Sequence, residues 1–294
     1  MIASVQALLA SIVDYAGLFP PAKLDLRQAM TNYIGNQLTP YAWMQNRFVL
    51  PVSRLNEFEA LLQIFLAKED NPRQWSLSLI VPEDVEAVIQ QLKLLNNRND
   101  ITVTALEFPP LPPREIERIL PHLPMGVDAF FEIPLTGLEA YLRVLQHTGA
   151  AAKVRTGGIT VDAFPSFEEL CQCIFSFAEA EVPFKATAGL HHPLPGNYRL
   201  TYEPDSPTSV MHGFLNVAVL AALVYWQKVT LPEALEVLQD STSDGFQFTA
   251  EALTWRDYRL ESVQIQQARQ RFFRSFGSCS FQEPVDELKE LKLY

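Results

Sequence analysis

The chain has 294 residues, 48% of them hydrophobic and 19% charged, which is the balance of a globular protein with a large core. A net charge of −11 excludes a general nucleic-acid-binding role and docking on an anionic membrane surface, while leaving room for a local cationic pocket. Three cysteines (Cys171, Cys173 and Cys279) with no CxxC pair exclude a disulfide framework and fit reduced thiols.

Residues 1–45 read as an N-terminal helical segment, with helices over Val5–Tyr15 and Leu26–Gly35 around a turn at Gly17-Leu18-Phe19-Pro20-Pro21. The first ten residues lack a basic stretch, so a cytoplasmic protein without a secretory signal is expected. Residues 46–227 then carry a βα rhythm. Predicted strands at Arg47–Val52, Trp75–Pro82, Ile101–Glu107 and Val127–Glu132 are followed by helices at Leu55–Ala67, Glu83–Asn97, Arg114–Leu123 and Gly137–Thr148. Fifth and sixth strands follow at the segments around Lys153 and Lys185, with a helix over Phe167–Ala180 between them. The apolar stretch Val210–Trp226 is too short to span a membrane comfortably and reads as a buried helix.

Residues 228–294 form an irregular C-terminal part. Helices are expected at Pro232–Leu238 and Ser262–Phe273, a hairpin within Phe246–Trp255, and a polar loop leading from Ser275 into a final acidic helix. At least six βα units in succession favour an α/β, TIM-barrel-like fold over a doubly wound sheet. The seventh and eighth strands are not visible, so an irregular or incomplete barrel built as a single domain over 1–294 is the expectation.

In parallel α/β folds the strand C-termini form the functional face, so polar residues at strand ends are the candidates. Arg54 follows the first predicted strand, Glu107 ends the third and Glu132 the fourth, and each glutamate precedes an apolar residue and a proline that stops the ladder. The fifth strand carries Lys153 and Arg155 on one face, leading into Thr156-Gly157-Gly158. The sixth carries Lys185 and Thr187, leading into Gly189, His191 and His192.

Converging cations need an anion, a carboxylate partner or a reactive role. Lysines paired with Glu107 or Glu132, anion binding and a nucleophilic amine are therefore all open. His191 or His192, with Glu107 and Glu132, supplies acid/base groups or, alternatively, ligands for a divalent metal. His212 and Asn216, four apart in an expected helix starting near Asp205–Ser209, present one polar face to a pocket. Asp14-Tyr15 and the loop Phe276–Glu283 are expected to serve packing or a lid.

The Lys153-Val-Arg-Thr-Gly-Gly and Lys185-Ala-Thr-Ala-Gly segments resemble deoxyribose-phosphate aldolase and related class I aldolases. The resemblance is confined to these two motifs. It implies Schiff-base chemistry with Lys153 as nucleophile and Lys185 as the second, tuning lysine. Arg155 and the histidine pair have no counterpart in that family, and the two strands would stand sixth and seventh only if the N-terminal region held a further strand. The same segments, extended through Leu-His-His-Pro, resemble a bacterial family of unknown function.

The combined expectation is an enzyme acting on a small anionic carbonyl metabolite, of lyase or isomerase type, needing no cofactor. Lys153, Lys185, Glu107, Glu132, His191 and His192 would be catalytic. Arg155, Thr156, Gly157, Gly158, Thr187, Gly189, His212, Asn216 and Arg54 would bind substrate. A metal-dependent hydrolase and a non-catalytic anion-binding barrel are the alternatives, and self-association into a homo-oligomer stays open.

Overall fold

Alternating strands and helices bury apolar residues on both faces of a parallel sheet, and in this chain the sheet closes on itself. The computed structural model describes residues 2–67, 74–82, 85, 88, 92, 95 and 98–293. The described strands are β1 (Val13–Tyr15), β2 (Gln45–Pro51), β3 (Trp75–Ile80), β4 (Ile101–Phe108), β5 (Asp128–Glu132), β6 (Ala151–Arg155), β7 (Phe184–Thr187), β8 (Gly196–Arg199), β9 (Thr208–Met211), β10 (Phe246–Phe248), β11 (Ala252–Trp255), β12 (Tyr258–Glu261) and β13 (Phe273–Ser278). A closed parallel barrel runs in the order β1-β13-β7-β6-β5-β4-β3-β2, with helices around it.

The barrel is therefore complete, and its closing strands lie where none was expected. The predicted first helix stops at Leu9, and Val13–Tyr15 pairs in parallel with both β2 and β13. Three buried residues in a row carry no alternation, so this strand looks like the end of an apolar helix. The last strand, Phe273–Ser278, contains serine and glycine, which are poor strand formers in isolation. Pairing to β1 and β7 on either side holds it extended. With β1 counted, the Lys153 strand is the sixth and the Lys185 strand the seventh.

Other elements follow the expected order with local differences. Of the helix expected at 83–97, the described positions Val85, Val88, Leu92 and Leu95 are helical and buried, and the others lie outside the described residues. After β7 the chain makes the antiparallel hairpin β8–β9 before the next helix, Phe214–Tyr225. That helix is apolar on all sides because it is wedged between β13 and the helices Leu231–Gln239 and Ser262–Arg271. The hairpin expected within 246–255 gains a third strand, giving the sheet β10-β11-β12. Among the described residues no helix is long and apolar enough to cross a membrane.

Candidate active site

Parallel register puts the charged side chains side by side. Lys153 stands level with Glu132 on β5 and with Lys185 on β7. Strands β4 and β7 are not neighbours, so the contact of Glu107 with Lys185 must cross the barrel lumen, as must the contact of Arg47 on β2 with Asp128 on β5. The lumen of this barrel is therefore filled largely by charge, where branched aliphatic side chains commonly stack.

These charges form one alternating chain. Asp128 Oδ2 lies 2.5 Å from Arg47 Nη2, and Arg47 Nη1 lies 3.8 Å from Asp14 Oδ2. Asp14 Oδ2 accepts from Lys185 Nζ at 2.5 Å, which also donates to Glu107 Oε1 at 2.7 Å. Glu107 Oε2 is 3.4 Å from Lys153 Nζ, itself 3.1 Å from Glu132 Oε2, and Glu132 Oε1 is 3.4 Å from Arg155 Nη2. Every charge in this chain of contacts thereby has an opposite neighbour, the condition for ionised groups to persist away from water.

The uncharged contacts fix the chain in place. Ser78 Oγ donates to Glu107 Oε1 at 2.7 Å, while Ser275 Oγ and Asn46 Nδ2 donate to Asp14 at 2.6 and 2.8 Å. The Lys185 ammonium sits 5.1 Å from the centre of the Phe130 ring, a cation–π contact.

Burial by itself disfavours the Glu107 carboxylate, but Lys185 and Lys153 overcome it and hold its pKa down at about 2. Burial likewise disfavours the Lys185 ammonium, but Asp14 and Glu107 outweigh it and raise its pKa. Lys185, at 1% exposure, is thus favoured in its ammonium form. Exposure then rises along the chain toward the rim, from 5% for the Lys153 side chain to 14% for Glu132 and 53% for Arg155.

A cavity of ≈ 440 Å³ opens at the C-terminal ends of the strands above these groups. Lys153, Lys185, Glu107, Glu132, Arg155 and His191 reach it, together with Gly158, Thr187 and Gly189. It adjoins a second cavity of ≈ 250 Å³, and Pro21, Gly158, Gly189 and His191 line both. The loops after β6 and β7 meet here at backbone contact. A Cβ on Gly157 would lie 2.3 Å from the Phe164 ring and 2.8 Å from Gly189 Cα, and Gly189 has φ +80°. Thr156 Oγ1 ties the same loops together by donating to the Ala188 carbonyl.

The adjacent histidines diverge. His191 lines the mouth, with Nδ1 3.4 Å from both Ser278 Oγ and Glu283 Oε2. That contact helps to lower the Glu283 pKa against the opposing effect of burial. His192 faces the second cavity only. Its ring stacks on Tyr198 with centroids 3.4 Å apart, and its Nδ1 lies 2.6 Å from Glu287 Oε1.

Several expected site residues stand elsewhere. Arg54 is at the surface, bound bidentately to Glu57. His212 and Asn216 do not share a helical face, because Thr208–Met211 is a strand and the helix starts only at Phe214, after Gly213. His212 Nε2 contacts the Pro165 carbonyl, and burial lowers its pKa, while Asn216 Nδ2 donates to the carbonyls of Val237 and Asp240. Thr156 and Gly157 hold the loops together and do not line the cavity. The metal site expected from Glu107, Glu132 and a histidine does not assemble among the described residues, because Lys153 stands between the two carboxylates.

Asp14, expected to serve packing or a lid, is instead fully buried at the centre of the charge chain. Its signal was a lone carboxylate inside the apolar run Ile12-Val13-Asp14-Tyr15. Ser78 was signalled by the Ser-Leu-Ser alternation of β3, which points Ser76 and Ser78 to one face. Fold and site together define a parallel eight-stranded barrel with an ionic lumen and an open C-terminal mouth. Comparison with protein-family models, curated proteins and solved structures gives no match.

Proposed function

We propose that the barrel mouth is the active site of an enzyme acting on a small carbonyl compound that carries a carboxylate or phosphate, by lyase or isomerase chemistry through Lys153. The observation that carries this reading is the setting of Lys153. Lys153 reaches the cavity between Glu107 and Glu132, and its side chain is more exposed than that of Lys185, at 5% against 1%. Its amine attacks the carbonyl carbon; the C–N bond forms, and the carbonyl oxygen leaves as water to give an imine. Glu132, at 3.1 Å, is positioned to take the ammonium proton before attack and to return a proton to the departing oxygen. Glu107, kept ionised by its low pKa, stabilises the cationic imine nitrogen.

Arg155 at the rim suits the anionic end of the substrate, since its guanidinium donates in a planar fork that matches carboxylate and phosphate oxygens. Lys185, below, holds Glu107 in position and balances its charge. The place of the two lysines on sixth and seventh strands supports the resemblance to class I aldolases.

Borohydride reduction in the presence of small aldehydes and keto acids tests the proposal, read by intact mass. The expected result is a substrate-sized adduct that is absent in Lys153→Ala and present in Lys185→Arg. Absence of any adduct across the panel refutes amine catalysis. A second reading, an anion-binding barrel without covalent chemistry, is favoured by the half-exposed Arg155 guanidinium at the rim. It predicts anion binding that survives Lys153→Arg.

A further inference from the structure

Outside the charge chain, one cluster brings nitrogen and oxygen donors together without a lysine or arginine to balance them. Glu283 and Glu287 lie four apart on the helix Gln282–Glu290 and so project from one face. Facing them is His192, from the loop after β7. One donor atom from each of the three residues lies within 4.8 Å of the others. Two carboxylates this close repel, and helical pairs of like charge are destabilising by themselves. Among the described residues the only ionic partners of these carboxylates are His191 and His192.

We propose that His192, Glu283 and Glu287 form a binding site for a divalent transition-metal ion of the zinc or manganese class, separate from the lysine site. An imidazole nitrogen with two carboxylate oxygens is a donor set suited to these ions. Donors about 2.1 Å from a tetrahedral zinc stand about 3.4 Å apart, so rotamer adjustments of the two glutamates suffice to close the site.

The His192 ring is already held in one orientation. It is stacked on Tyr198 at an interplanar angle of 10°, and its Nδ1 is turned toward Glu287. The ion would take the place of the proton in that contact, which opens from 2.6 Å to about 3.4 Å as Glu287 swings back. His191, bound to the same Glu283, is an outer group that orients a ligating carboxylate. His192 and Glu283 line the ≈ 250 Å³ cavity, so the open positions of the ion would face it and accept water or an anionic oxygen.

The test uses the full chain, stripped with a chelator, dialysed and titrated calorimetrically with zinc chloride and, in parallel, manganese chloride. One equivalent is expected to bind and to raise the melting temperature. Binding should weaken at least about tenfold in Glu287→Gln and in Glu283→Gln, and stay unchanged in Glu290→Gln on the same helix. Both site variants are near-isosteric, and circular dichroism confirms that each is folded before titration. Where one of them does not fold, the other carries the comparison. The absence of saturable binding at about 100 µM of either ion, or equal binding by the wild type and the folded site variants, overturns the proposal. Zinc binding and imine trapping are read separately, so either result stands without the other.

Discussion

Replacing Glu107 with glutamine removes one negative charge from the middle of the ionic lumen while keeping the volume and the oxygen that accepts from Ser78. Glu107 is 2% exposed and is the one acid shared by Lys185 and Lys153. A carboxyl pKa lowered from 4.5 to about 2 corresponds to about 3 kcal/mol of folding stability at about 1.4 kcal/mol per unit. Removing one partner of a buried ion pair gives a similar figure, about 3–5 kcal/mol. Glu107→Gln should therefore lose roughly 3 kcal/mol at pH 7, read as a lower urea midpoint with an unchanged m-value.

The sign with pH follows from the lowered pKa. As acid is added, the unfolded chain takes up the proton first, near 4.5, so the contribution of Glu107 is complete above that pH and is lost as pH falls toward about 2. Asp100 and Glu283 are also held low, so the readout is the difference between the two proteins, which should shrink across that window. A Glu107→Gln protein within about 0.5 kcal/mol of the wild type at neutral pH would show that the lumen charges are not coupled as described.

Gly157→Ala drives a methyl group into the Phe164 ring and the Gly189 backbone, and should cost about 1–3 kcal/mol in thermal unfolding. Arg155→Ala should leave stability within about 0.5 kcal/mol, because its pair with Glu132 is at the rim, yet weaken binding of a carboxylated or phosphorylated ligand about tenfold in calorimetry. Asn216→Ala strips the donor from two inward carbonyls and should lose about 2 kcal/mol in urea unfolding, with imine trapping at Lys153 unaffected. Arg54→Ala, in contrast, breaks only an exposed pair and should be neutral in both assays.

The parts of the fold and site that could be read along the chain were those with a local periodic signal. Strands β2 to β7 belong to a βα rhythm, and the two-residue period by itself puts Lys153 with Arg155 and Lys185 with Thr187. Glu107 and Glu132 were legible because each sits at a strand end closed by a proline. The histidine pair was visible, but its division between two cavities was not. That division depends on the turn of the loop backbone, where Ala188 and Gly189 have φ +58° and +80°. His212 and Asn216 were misplaced for a similar reason, since β9 gains its extended form only by pairing with β8.

Closure of the barrel and the partners of its charges depended on contacts that no local window contains. β1 is only three residues long, neither β1 nor β13 carries a clear period, and both are held extended by each other and by flanking strands drawn from distant parts of the chain. Asp14 and Lys185 are 171 residues apart in sequence, and Asp14 and Ser275 are 261 apart. Residue type and alternation show which side chains must face a common interior, because each strand dictates its own two faces. They leave undetermined which carboxylate meets which lysine, because that depends on strand order and register around the closed barrel. Here the closure sets Lys185 between Asp14 and Glu107 and Lys153 between Glu107 and Glu132, both lining the C-terminal cavity.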